Sequence, residues 1–369
     1  DLSDDVVDKN LKVSKIDALF DPTITLVIGI SYFLSIVFGA KMVFHDEITL
    51  GQLITFTTYL GMLVWPLLAL GLFFNIVQRA KASYERIEEI GNLPNGIDTQ
   101  YKIDKSPQGD IQLNIDHFNF PGNDNRGVYD IYFTIKQGTT VGIVGRTGSG
   151  KSTLIRLLLR EFDTEYAQDI TYGGYPLRDY KVELLRGQFG YVPQEHFLFS
   201  TTIRNNIAFS NETIEDEQIY EVSRLSHIHD DIMNFTNGYQ TVVGERGVSL
   251  SGGQKQRVSI ARALLLNPEV LILDDSLSAV DAQTEEVILG NLERLRKHKT
   301  NIITAHRMSA VKHADLIIVM DEGEIIERGH HESLMQQRGW YYETYQAQAL
   351  QAKLSRNLDN LTKGDGEDD

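Results

Sequence analysis

Gly145-Arg146-Thr147-Gly148-Ser149-Gly150-Lys151-Ser152 has the spacing of a phosphate cradle, G-x-x-x-x-G-K-[ST]. Its glycines let backbone N–H groups curl around phosphate oxygens. A helix starting at Lys151 would turn its positive end toward the same oxygens. Lys151 supplies a charge for the β- and γ-phosphates of a nucleotide, and the Ser152 hydroxyl can hold Mg²⁺. The expected ATP-contacting set is Gly145, Thr147, Gly148, Ser149, Gly150, Lys151, Ser152 and Thr153. Further along, Val270-Leu271-Ile272-Leu273-Asp274 reads as an apolar strand ending in a carboxylate. An acid at a strand end is the second part of such a site, because it holds Mg²⁺ opposite the cradle.

These groups need a scaffold. The cradle follows the strand-like run TTVGIVG and opens the helix-like run TLIRLLL. IQLNIDHFNF, VLILDD and LIIVMDEGEII also read as strands, with helical runs between them. That alternation predicts an α/β domain with a largely parallel sheet. Residues 91–108 carry Gly, Pro and Asn breakers and read as a linker. The domain is expected over 109–350, with a polar helix from Glu343 to Leu358 and a polar, acidic tail over 351–369. No internal repeat is present.

Between cradle and acid lies Leu250-Ser251-Gly252-Gly253-Gln254, followed by KQRVSIARALL. LSGGQ is the signature of ATP-binding cassette (ABC) proteins, and the chain resembles that family from Asp1 to about Leu350. The resemblance implies an α/β P-loop NTPase domain that pairs head to tail with a second cassette. Ser251, Gly252, Gly253 and Gln254 would then close over the partner's ATP. Phe120 matches the aromatic that stacks on adenine, where the family usually has Tyr. Gln194, in YVPQE, matches the glutamine that senses Mg²⁺ and the attacking water. The implied Mg²⁺ set is Ser152, Gln194 and Asp274. Gly244-Glu245-Arg246-Gly247 resembles a loop that contacts membrane-helix extensions in exporters. Ser278-Ala279-Val280-Asp281 matches the loop that couples the two cassettes. His306, in ITAHR, matches the switch histidine near the γ-phosphate. The implied cofactors are ATP and Mg²⁺, with Asp275, His306 and Gln194 in the catalytic roles.

Asp275 departs from the pattern. The family usually places a glutamate there to polarise the attacking water. Aspartate is shorter by one methylene, about 1.5 Å of reach, and a general base must reach its proton before its pKa matters. This resembles one half of the heterodimeric bacterial multidrug exporters. There a chain with the weak acid keeps an intact LSGGQ, and its partner carries the catalytic glutamate. A tolerated variant in a homodimer is the plainer alternative.

Two stretches near the start are long and apolar. Pro22 to Ala40 and Ile48 to Gln78 contain no charged residue. A helix needs about 20 apolar residues to cross a bilayer core. Spans are expected over about 22–44 and 53–77, as the last two helices of a membrane domain over 1–90. Lys9, Lys12 and Lys15 precede the first span, and Arg79, Lys81 and Arg86 follow the second, so both outer ends read as cytoplasmic. Pro66 should kink the second span. Tyr32, Phe33, Phe56, Tyr59, Trp65, Phe73 and Phe74 could line a cavity for apolar ligands or pack against lipid. Two helices cannot enclose a pathway, and no signal peptide is seen. The chain reads as a fragment of a half-transporter in a cell membrane, multi-pass, with its ATPase cytoplasmic.

Lys plus Arg number 35 against 51 Asp plus Glu, a net charge of −16 that excludes a general nucleic-acid binder. There is no cysteine, which excludes disulfides and thiolate chemistry. The expected function is ATP-driven export of hydrophobic compounds. Export of lipid or peptide, and a soluble ABC-type regulatory ATPase, are the rivals. His227, His229, His330 and His331 lack further ligands and read as surface residues.

Overall fold

A computed structural model describes residues 2–92, 96–97, 100–121, 127–209, 211, 213–244 and 248–364. It divides into two compact units, residues 1–94 and 95–369.

The first unit is a helical pair. Helix α1 runs Leu2–Phe44 and α2 runs Leu50–Gly91. A capping box starts α2: Thr49 Oγ1 accepts from the Gln52 N–H, and Gln52 Oε1 accepts from the Thr49 N–H at 2.8 Å. The helices touch where side chains are small. A Cβ at Gly39 would meet the Leu53 side chain, and one at Gly61 would meet the Tyr32 hydroxyl. Both α1 and α2 contain a proline, Pro22 and Pro66. Ser and Thr hydroxyls donate back to carbonyls one turn earlier, as Ser35 does to Ser31 O at 2.7 Å and Thr58 to Ile54 O at 2.9 Å. That removes donors from the apolar surface. Leu26, Phe33, Phe56, Trp65 and Phe73 are exposed, and α2 buries no residue. This outward apolar surface calls for a lipid or protein surrounding.

The second unit opens with β1 (Ile111–Asn119), β2 (Gly127–Ile135) and β3 (Thr140–Gly145), then α3 (Lys151–Leu158). Next come β4 (Ile170–Tyr172), β5 (Tyr175–Pro176), α4 (Val182–Arg186) and β6 (Phe189–Val192). A helical stretch follows: α5 (Ile203–Ala208), α6 (Asp216–Leu225), α7 (His229–Met233) and α8 (Gly252–Leu265). The chain then alternates through β7 (Val270–Asp274), α9 (Ala282–Leu295), β8 (Thr300–Ala305), β9 (Leu316–Asp321) and β10 (Glu324–Gly329). It ends in α10 (His331–Gln337) and α11 (Trp340–Gly364).

A six-stranded sheet has the order β10-β9-β3-β8-β7-β6, parallel except for β10. A smaller antiparallel sheet has the order β2-β1-β4-β5. Strand residues alternate between two cores. Ile143 and Ile272 join one with β1, β2 and α3, while Val144, Leu271 and Leu273 join the other with α5, α6 and α8. Strands buried on both faces read as continuous apolar runs. LIIVMDEGEII, expected as one strand, is instead the hairpin β9–β10, turning at Glu322 and Gly323 with positive φ.

Candidate functional site

The strand order brings the site together. Strands β3, β8, β7 and β6 lie side by side and in parallel, with Val144 beside Ala305, Asp274 beside Thr304 and Val192 beside Leu273. Their C-terminal ends therefore carry, in one row, the cradle, His306, the two acids and Gln194. In open α/β sheets ligands bind at that edge.

The cradle curls because its glycines permit it. Gly145 has φ 153° and a Cβ there would meet Met320 O; Gly148 has φ 84°. Lys151 lies inside the loop, nine-tenths buried, and its ammonium donates to Gly145 O at 2.9 Å and Arg146 O at 2.8 Å. Burial lowers its pKa, and the charges of Asp275 and Asp274 oppose that shift. Lys151, Asp274 and Asp275 are therefore one electrostatic group. Thr147, Gly148 and Ser152 are exposed, Gly150 and Thr153 half-buried, and Ser149 buried. An open hydroxyl at Ser152 beside a buried lysine is what a nucleotide phosphate and its cation require.

Asp274 ends β7 and is 4% exposed. Its Oδ1 accepts from Thr304 Oγ1 at 2.5 Å and its Oδ2 from the Tyr191 hydroxyl at 3.3 Å. Burial, then the charge of Asp274, pushes the Tyr191 phenol far up, so it stays a donor. Among the described residues no cluster of three His, Cys, Asp or Glu forms a metal cage. Mg²⁺ needs none: it takes one or two carboxylates, with phosphate and water completing its octahedron. The hydrogen-bonded carboxylate of Asp274 with the Ser152 hydroxyl fits it.

Asp275 is half-buried with φ 46°, a left-handed conformation in which Asp is enriched. Its N–H donates to both Thr304 Oγ1 at 2.9 Å and Thr304 O at 3.1 Å. Gln194 is exposed and His306 half-buried. His196, two residues beyond Gln194, was not singled out in the sequence. Its Nδ1 is buried without a hydrogen-bond partner among the described residues. Burial lowers its pKa, with Asp275 pulling the other way. Exposed Phe197, Phe199 and Phe209 follow it, in edge-to-face contact at 5.0 and 5.6 Å.

Phe120 follows β1 and meets Phe118 and Phe162 edge to face at 5.3 and 5.2 Å. Ser251 caps α8: its Oγ accepts from the Gln254 N–H at 3.2 Å, and Gln254 Oε1 accepts from the Ser251 N–H at 3.0 Å. The Ser251 hydroxyl proton stays available to an anion. Gly252 and Gly253 form the first turn, where a Cβ on Gly253 would lie 3.0 Å from Ala279 O. Gln256 Oε1 accepts from the Ala279 N–H at 3.0 Å. Thus the signature packs directly on the loop Ser278–Asp281. Arg307, next to His306, donates to Val280 O at 3.0 Å, Ser278 O at 3.2 Å and Glu285 Oε2 at 3.2 Å. Of the loop Gly244 to Gly247, the last three residues lie outside the described residues.

His229 and His331 are not bare surface groups: each Nδ1 lies 2.8 Å from a tyrosine hydroxyl, of Tyr239 and Tyr341.

Residues 128–278 match the ABC transporter family, and residues 1–67 match the ABC transporter transmembrane region. The chain is 46% identical over 351 residues to a probable multidrug resistance ABC transporter ATP-binding/permease protein, YheI of Bacillus subtilis (strain 168), covering 95% of this chain and 60% of that protein. It is 46% identical over 359 residues to the multidrug resistance-like ATP-binding protein MdlA of Escherichia coli (strain K12), covering 97% of this chain and 60% of that protein. The solved structure of a bacterial Atm1-family ABC exporter with ATP bound is 32% identical, with TM-score 0.72, over 82% of this chain and 53% of that one. The chain thus spans about 60% of the length of these curated relatives. With its helical membrane segment and its α/β ATP-binding domain, the chain belongs to the ABC transporter family and is homologous to multidrug resistance ABC transporters.

Proposed function

We propose that this chain belongs to one half of an ATP-driven exporter of hydrophobic compounds, working beside a second half-transporter that carries a catalytic glutamate. One observation carries the asymmetry: the acid after Asp274 is Asp275, while Ser251 to Gln254 form an intact capped signature. The orientation that fits the flanking lysines and arginines puts the ATPase in the cytoplasm. Exposed Phe197, Phe199 and Phe209 suit a protein–protein contact.

In this reading Lys151 and the cradle N–H groups hold the β- and γ-phosphates, and Phe120 stacks on adenine. Asp274 and Ser152 would hold Mg²⁺, which would supply positive charge to the phosphates. Asp275 accepts the proton of the attacking water, and its short reach from a left-handed backbone makes that transfer slow. His306 and Gln194 orient the γ-phosphate and the water. Ser251 and Gly253 complete the partner's site. Binding of ATP at both sites draws the cassettes together and drives alternating access.

The test uses the full-length pair. Ser251→Ala should abolish ATPase activity, because it spoils the competent site. Lys151→Ala should only weaken it. Equal losses would overturn the asymmetric assignment.

A further inference from the structure

Helix α11 holds the backbone on both sides of the switch histidine through one side chain. Gln348 Nε2 donates to His306 O at 2.8 Å, and Gln348 Oε1 accepts from the Met308 N–H at 2.9 Å. A primary amide offers the same donor and acceptor as a peptide group. Gln348 therefore acts like an added strand rung across residues 306–308, where β8 has already ended. The residue between, Arg307, is held from the other side by Ser278 O, Val280 O and Glu285. The segment is clamped twice.

The helix that carries the clamp is itself fixed. The Glu327 carboxylate on β10 accepts from the Trp340 and Tyr341 N–H groups at the start of α11. A Cβ at Gly339 would strike that carboxylate, so glycine admits the cap. Tyr341 is fully buried, its hydroxyl bonds His331 Nδ1, and its ring stacks on Tyr345 at 6.3 Å. Tyr341 and Gln348 are seven residues, about two turns, apart and share one face.

We propose that Gln348 is a positioning residue for His306: from a capped, anchored helix it fixes the height of the histidine above the sheet edge, and so the reach of the imidazole to a γ-phosphate. This rests on the reading that His306 meets the γ-phosphate. A helix beyond the last of the sequence motifs thereby sets how well the site tells a nucleoside triphosphate from a diphosphate.

The test measures equilibrium binding of ATPγS and of ADP, each with Mg²⁺, to the full-length transporter in detergent. Gln348→Met keeps the length and removes both hydrogen bonds. It should weaken ATPγS about fivefold, the size of one displaced hydrogen bond, and leave ADP within about twofold. Gln348→Asn, which withdraws the amide by one methylene, should shift the same ratio if the Met variant folds poorly. Gln346→Met, exposed on the same helix, should shift neither. Equal weakening of both ligands by Gln348→Met, or of neither, overturns the proposal, because a merely structural role would not separate them. His306→Ala distinguishes the two levels. If it too leaves the ratio unchanged, the γ-phosphate reading of His306 falls, and the inference with it. If it shifts the ratio and both Gln348 variants do not, the inference alone falls.

Discussion

Thr304 Oγ1 donates its proton to Asp274 Oδ1 at 2.5 Å and itself accepts from the Asp275 N–H at 2.9 Å. One hydroxyl on β8 thus orders both acids at the end of β7. Thr304→Val removes a buried donor from a buried carboxylate and should destabilise the ATPase unit by about 1–3 kcal/mol. Thr304→Ser keeps the hydroxyl and should recover most of it. Denaturant midpoints of the two variants check this, and equal midpoints would refute it.

Asp275→Glu lengthens the acid by one methylene. If reach limits hydrolysis, turnover at this site should rise on the order of 10²-fold. The left-handed backbone at φ 46° is less hospitable to the longer side chain, so stability should drop slightly. Phosphate release by the full-length protein, with the partner's own acid disabled, reads the rate. An unchanged rate would mean that Asp275 is no weaker than the glutamate.

Gly145→Ala places a methyl group against Met320 O and Ser149 Oγ, the latter at 2.7 Å. Either β9 moves or the cradle opens. ATP binding should weaken by about tenfold or more, measured by equilibrium titration. Wild-type affinity would show that the loop tolerates the methyl.

His196 gives the pH dependence a sign. Its folded pKa lies below the unfolded value of about 6.5, because burial disfavours the imidazolium. The neutral form's stabilisation is fully present above that value and is lost as pH falls toward the folded pKa. Between about pH 6.5 and more acidic buffer, wild-type Tm should fall more steeply than that of His196→Leu. His331 shifts in the same direction, so the variant removes only part of the slope. Parallel curves would show that His196 does not contribute.

The phosphate cradle and the strand acid were legible in the sequence because their chemistry is local. Eight consecutive residues specify the loop from Gly145 to Ser152, and five specify β7. The partners that order them were not legible. Thr304 lies 30 residues from Asp274, Tyr191 lies 83, and Gln348 lies 42 from His306. Strand order brings Thr304 and Tyr191 to Asp274, the docking of α11 brings Gln348 to His306, and periodicity is silent on both. The β9–β10 hairpin was hidden because its turn, Glu322-Gly323, is flanked by acidic residues rather than by a longer run of breakers. The antiparallel sheet was partly missed because β4 and β5 have only three and two residues. The membrane helices were legible from the absence of charge alone.

Helix α2 has 42 residues, which is about 63 Å at about 1.5 Å per residue. A bilayer core is only about 30 Å thick. About half of the rod therefore stands outside the hydrocarbon, and its protruding end carries Lys81, Glu85, Arg86, Glu88 and Glu89. Leverage follows from that ratio. A tilt of about 10° about one end sweeps the other through about 11 Å, so a small rocking motion within the lipid becomes a large displacement in the water beside it.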